Sequence, residues 1–290
     1  MSSGGTTALI EALPESRRAA LINLLTDEDP AIYSTVREKI LSLGPQGAQW
    51  LRGHLLSSDP MLRRRAQEII CYFDRRAADD RFLAFCLQNG EEFDLERAAW
   101  LLAQTRYPSI NLEGYLALMD SFAADLKERL ETTAEPRQIL GALNHYLFRE
   151  LGFEGNESNY YDPENSYLNR VIDRRKGNPI SLCLLYLLIA RRLQLPITGI
   201  GLPGHFICRF QSSASEIYVD PFHGGKLLTK GDCVQYLVHG KFNLREDHLT
   251  PVSPRRMILR ICGNLHQIYL QLEATGETTR LQRYLVALAR

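Results

Sequence analysis

A strongly apolar stretch over residues 179–193, entered through Asn178-Pro179 and left through Leu195-Pro196, is the strongest constraint on how this chain folds. Asn is a good helix N-cap and Pro suits the first helical turn, so the stretch reads as a strongly apolar helix starting near residues 177–179. Its longest apolar run, near residues 180–190, is too short to cross a bilayer. The pattern then changes. Residues 197–201, 205–210 and 216–219 are β-type runs, with Gly204 before the second and Ser212-Ser213-Ala214-Ser215 after it. Helices are expected before this meander at 112–130, 136–151 and 168–175, and after it at 227–238, 254–273 and 278–288. The expected fold class is α+β: helices first, then a helix packed on a small antiparallel sheet.

Residues 1–107 read as helix only. Asp29-Pro30 opens one unit and Asp59-Pro60 the next, and a weaker echo starts at Asp94. Each is followed by apolar residues at helical spacing (Val36, Ile40 and Leu41; Ala66, Ile69 and Ile70). Paired helices recurring every 30 residues or so suggest a HEAT-like array, with an ordinary helical bundle as the alternative. Tyr107-Pro108 is the expected boundary. The expected domains are 1–107, 108–252 and a closing helical pair at 253–290.

Lys plus Arg and Asp plus Glu are both 34, so the net charge is zero and there is no electrostatic footprint for nucleic acid or an anionic membrane. The six cysteines form no Cys-x-x-Cys pair and lie mostly in apolar runs, as buried free thiols in a reducing compartment do. The first residues lack the basic start and apolar core of a signal peptide. A cytoplasmic protein is expected, with no cofactor, no nucleic acid and no membrane.

Three segments carry the chemistry. The start of the apolar helix leaves the N–H groups of Ile180 and Ser181 free at the positive end of its dipole, where a cysteine gains a low pKa and an oxyanion gains donors. His205 opens the second β run and Asp220 closes the third. If the two strands pair as a hairpin, His205 and Asp220 meet at one edge of the sheet, as a base meets its orienting carboxylate.

This order of a helix start, a strand-borne His and a strand-end Asp-Pro resembles the transglutaminase-like (papain-like) superfamily. The closer resemblance is to its SirB-type branch, found in bacteria and in an F-box protein family of animals. The motifs are Tyr161-Asp162-Pro163-Glu164-Asn165-Ser166-Tyr167-Leu168-Asn169, Gly177-Asn178-Pro179-Ile180-Ser181, Leu202-Pro203-Gly204-His205-Phe206 and Asp220-Pro221-Phe222-His223-Gly224-Gly225. The resemblance spans roughly residues 110–270. It implies a transglutaminase-like domain behind the helical region, with Asn178, Pro179, Asn165, Tyr161 and Gly204 around a cleft.

In the active families the cysteine lies one helix-length before a Gly-Ile-Pro-type turn. Pro179 lies 17 residues before Pro196, so the resemblance sets a proline at the nucleophile's position. Cys183 is one turn deeper, about 6 Å along the axis. It reads as a packing residue, with a displaced nucleophile as the alternative. Ser181 reads as a hydroxyl serving the helix start, with a substitute nucleophile as the alternative. The tyrosines at 160, 161 and 167 either line a groove or pack, with Asp162 and Asn165 capping the next helix. His145, His223 and His266 look incidental. His205, Asp220 and His223 form an unspecific metal-ligand set that the resemblance does not support, so no metal is expected. The expected function is a catalytically degenerate module that binds a protein or peptide. The competing readings are an amide hydrolase or acyl transferase using Ser181 or Cys183 with His205 and Asp220, and a scaffolding role for the helical array.

Overall fold

The computed structural model describes residues 13–91, 93–130, 135–242 and 246–290. The chain forms two compact units, one ending at Ala77 and one spanning Ala78–Arg290, with the division inside a single helix. No helix among the described residues is long and apolar enough to cross a membrane.

The first unit holds α1 (Glu15–Leu24), α2 (Pro30–Ser42), α3 (Pro45–Arg52) and the start of α4 (Pro60–Gln88). Asp29 caps α2 by accepting the Ala31 N–H, and Asp59 caps α4 by accepting from Met61 and Leu62. Each Asp-Pro pair therefore acts as a helix start, satisfying amides that the helix leaves unpaired. Leu25, Val36, Ile40, Leu51, Ala66 and Ile69 form part of this unit's core.

The second unit continues with α5 (Leu95–Arg106), α6 (Leu112–Arg129) and α7 (Pro136–Asn144), then a π-helical turn over His145–Glu150. Two short strands, β1 (Glu154–Gly155) and β2 (Lys176–Gly177), pair in parallel around α8 (Leu168–Arg174). Then come α9 (Pro179–Arg192), the strands β3 (Ile197–Leu202), β4 (His205–Gln211), β5 (Glu216–Asp220) and β6 (Lys226–Leu228), and the helices α10 (Lys230–His239), α11 (Pro254–Gln271) and α12 (Thr275–Leu288). The four-stranded sheet is antiparallel in the order β3-β4-β5-β6. The α+β class is as expected.

One local expectation is refined and one corrected. The helix expected over 136–151 runs from Pro136 to Glu150 but changes from α to π after Asn144, whose side chain donates to the Gly225 carbonyl and accepts from the Tyr186 hydroxyl. The helix expected over 227–238 begins later, at Lys230. Leu227 and Leu228 instead pair with Val219 and Tyr218 as an edge strand, and Thr229 caps the helix reciprocally with Asp232.

The sheet is covered on both faces, and the two-residue period of its strands decides which side chains go where. Phe206, Cys208, Phe210, Ile217 and Val219 join the large core that contains Leu182, Cys183 and Leu185 of α9. Ile207 and Tyr218 point the other way and pack with Cys233 and Leu237 of α10. His205 shares the parity of Ile207, and Asp220 that of Tyr218.

Candidate functional site

The β3–β4 hairpin turns through Pro203-Gly204, with Gly204 at φ 71° and Leu202 paired with His205. Proline followed by a glycine with positive φ is the chemistry such a tight turn requires. Arg260 of α11 holds the turn from behind. One of its terminal nitrogens donates to the carbonyls of Leu202 and His205, each at 2.7 Å, and the guanidinium lies 5.4 Å from the Phe206 ring centre. The hairpin thus fixes where the His205 backbone sits.

His205 Nε2 lies 2.8 Å from Asp220 Oδ2, the pairing expected from the sequence. Both side chains are buried. The same carboxylate oxygen meets a second imidazole, His223 Nδ1, also at 2.8 Å. Asp220 Oδ1 accepts the backbone N–H of His223 at 3.4 Å, closing a tight turn over Pro221–His223. Burial works to raise the Asp220 carboxyl, but the hydrogen bonds and charges of His205 and then His223 outweigh it and hold the group below the ordinary carboxylate value. His223 is therefore not incidental, correcting the sequence reading. The His at position i+3 of Asp220-Pro221 was the available signal, because a tight turn brings those two side chains together.

The His205 ring is walled by Phe222, His223 and Tyr236, with ring centres 6.1, 5.5 and 5.9 Å away. Tyr236 comes from α10 and donates to the Pro203 carbonyl. His205, Asp220, His223 and Tyr236 line a cleft of about 550 Å³ that also includes Leu228, Asp232 and His239. Tyr160 packs edge-on against Phe222 and Tyr161, and Tyr161 is largely exposed. Tyr167, by contrast, is buried against Tyr269. Of the three tyrosines, Tyr160 and Tyr161 reach the surface and Tyr167 packs in the core. Arg260 and Tyr236 were missed from sequence, where each is an unmarked residue on an amphipathic helix.

The start of α9 is a closed hydrogen-bond network. Asn178 Oδ1 accepts the Ser181 N–H at 3.0 Å, Ser181 Oγ accepts the Asn178 N–H at 3.0 Å, and Asn178 Nδ2 donates to Ser166 Oγ at 2.9 Å. Asn165 does not cap a following helix. It is fully buried, accepts from Asn156 Nδ2 and donates to the Asn159 and Tyr160 carbonyls, while Asp162 caps the turn over Pro163–Ser166. Pro179 occupies the first helical position and is buried.

The structure brings His205 and Asp220 together but joins neither Ser181 nor Cys183 to them by a hydrogen bond. Ser181 is buried, and its hydroxyl bonds only within the cap. Cys183 is fully buried with its thiol donating to the Phe206 carbonyl at 3.3 Å. Burial, then the adjacent Cys208, pushes the Cys183 thiol well up. Its core neighbours lie on the sheet face opposite the one that His205 shares with Ile207.

One result is expected at once. Native protein should offer a single readily alkylated thiol, Cys71, since the other five cysteines are buried. Burial raises Cys86 and Cys233 to about 12, so their alkylation should keep rising with pH without a plateau below about pH 10. Peptide mapping after a short iodoacetamide pulse checks this, and selective labelling of Cys183 would contradict it.

A model of the transglutaminase-like superfamily matches residues 113–263, just over half the chain. The chain belongs to that superfamily. Its relatives include UPF0162 proteins of Xylella fastidiosa. That of strain Temecula1 is 35% identical over 198 residues, 66% of this chain and 70% of the relative. That of strain 9a5c is 36% identical over 187 residues, 62% of this chain and 66% of the relative. The human F-box only protein 21 is 37% identical over 141 residues, 44% of this chain and 21% of that protein. No solved structure matches. Within the superfamily segment, the motif residues Asn178, His205 and Asp220 are those that build the helix cap and the histidine–carboxylate pair.

Proposed function

We propose that this domain binds a protein or peptide segment over the His205–Asp220 cleft and carries out no cysteine-based acyl transfer. The observation that carries the reading is Pro179 at the first turn of α9, where the resemblance puts the family's nucleophile. A proline has no thiol for the helix dipole to activate, and the Ser181 N–H expected to be free is taken by Asn178 Oδ1. The exposed Tyr161 and the half-exposed Tyr160 and Tyr236 supply the rigid amphipathic surface that peptide-binding clefts favour. The amide hydrolase reading has less support, because Ser181 is committed to its helix cap and Cys183 to the core. As part of the same proposal, the domain is of the SirB-type branch, residues 1–107 form a HEAT-like array, and the protein is cytoplasmic.

Two measurements test this. Incubation with glutamine-containing peptides and a primary amine should yield neither hydrolysis nor cross-linking, and intact mass should reveal no acyl adduct. Turnover that His205→Ala abolishes would overturn the proposal. Peptides selected on the wild-type protein from a displayed library should lose about ten-fold affinity on Tyr236→Ala, the cost of truncating one aromatic contact. Failure to select any peptide, or selected peptides indifferent to Tyr236→Ala and Tyr161→Ala, would remove the cleft as the binding surface.

A further inference from the structure

A base and its orienting carboxylate require one histidine and one acid. The cluster here has a second histidine, and the base-and-carboxylate arrangement does not account for it. His205 Nε2 and His223 Nδ1 converge on the same oxygen of Asp220, each at 2.8 Å, and the three donor atoms lie within 4.8 Å of one another. From this geometry we infer that His205, Asp220 and His223 form a binding site for a divalent transition cation of the zinc class, with its remaining coordination open to the cleft.

The distances fit. A cation about 2.1 Å from each donor in tetrahedral order holds the donors about 3.4 Å apart. The two nitrogen–oxygen separations need to open by roughly half an ångström, and the two ring nitrogens need to draw together. Two imidazoles and one carboxylate are the donor set that zinc and its neighbours prefer over magnesium or calcium. The protons are also accommodated. Each ring must present a bare nitrogen to the metal and carry its proton on the other one. Among the described residues, neither His205 Nδ1 nor His223 Nε2 has a hydrogen-bond partner, so both are free to take that proton.

The site is also held in advance. Asp220 Oδ1 accepts the His223 N–H, so the carboxylate is already turned with Oδ2 toward both rings. His205 is set by the hairpin turn that Arg260 holds. Such support lowers the ordering cost of binding. Three protein donors leave a fourth position, and all three residues line the cleft of about 550 Å³. The inference does not depend on whether a peptide occupies that cleft.

The test uses the full chain, stripped with a chelator and returned to non-coordinating buffer. Titration with zinc chloride by calorimetry should reveal one tight equivalent. Cobalt chloride should give visible d–d bands without the thiolate-to-cobalt charge-transfer band that cysteine ligation produces. His223→Ala, at a half-exposed position, and Asp220→Asn should each weaken binding at least about ten-fold with the far-ultraviolet circular dichroism unchanged. His239→Ala, which alters another histidine lining the same cleft, should leave the affinity as it was. No binding, thiolate charge transfer, equal affinity in His223→Ala, or a matching loss in His239→Ala would each overturn the site.

Discussion

Replacing Arg255 with alanine should destabilise the second unit by about 3–5 kcal/mol, the cost of stripping a buried charged donor from its partners. Arg255 opens α11 and is 5% exposed. Its Nε donates to the Leu288 carbonyl, one terminal nitrogen to those of Cys86 and Asn89, and the other to that of Ala287. These acceptors are the terminal carbonyls of α12 and α4, which no helix can satisfy for itself. Both ends also carry the negative pole of a helix dipole, which favours a cation. Among the described residues no carboxylate pairs with this guanidinium, so the two helix ends hold it in place of an acid.

Alanine would leave three buried carbonyls, those of Cys86, Ala287 and Leu288, without donors, and a fourth at Asn89 that is only partly buried. The unfolding midpoint in urea should fall with an unchanged slope, and the melting temperature should drop by about 10 °C. Arg255→Lys should recover only part of the loss, because an ammonium on a flexible stem cannot serve acceptors on two helix ends in the fixed fork of a guanidinium. Equal stability of wild type and Arg255→Ala would mean that the helix ends find other donors.

Asn178→Ala should cost about 2–4 kcal/mol. A lost N-cap accounts for about 1 kcal/mol. That cap is the bond to the Ser181 N–H, and the rest comes from the Ser166 hydroxyl, left buried without its donor, at about 1–3 kcal/mol. Asn178 is 4% exposed, so water does not easily take its place. Asn178→Asp keeps the acceptor for Ser181 N–H and adds a charge that the helix start favours, but it buries a carboxylate and turns the Ser166 contact around, so that the Ser166 hydroxyl must donate. It should therefore fall between wild type and alanine. Hydrogen exchange at the amides of Ile180, Ser181 and Leu182 should accelerate in Asn178→Ala before the global transition. Unchanged exchange there would mean that Pro179 alone holds the helix start.

Much of this protein was legible one segment at a time. The Asp29, Asp59 and Asp94 caps, the apolar helix behind Asn178-Pro179, and the turn through Pro203-Gly204 all rest on chemistry within a few residues. So did the pairing of His205 with Asp220, since an antiparallel hairpin brings the start of one strand to the end of the next. Local signals failed where partners lay far along the chain. Leu227 and Leu228 read as helix because their strand partners, Val219 and Tyr218, are not implied by their own neighbours. Nothing beside Arg255 announces a buried cation, because its acceptors lie more than thirty positions before or after it.

The helix start at Asn178-Pro179 holds both kinds of information. Sequence by itself determined that a helix begins there, that a proline stands in its first turn, and that a histidine and an aspartate follow on paired strands. Caps, turns and the two-residue alternation of a strand are local, so short stretches carry them. Only the tertiary structure decided what the neighbouring side chains face. It buried Ser181 in its cap, put Cys183 in the core against Phe206 and Cys208, and drew His223 onto the carboxylate that His205 already shares. Which face of a sheet meets which helix is set by packing summed over the whole unit, and no short stretch of chain contains that sum.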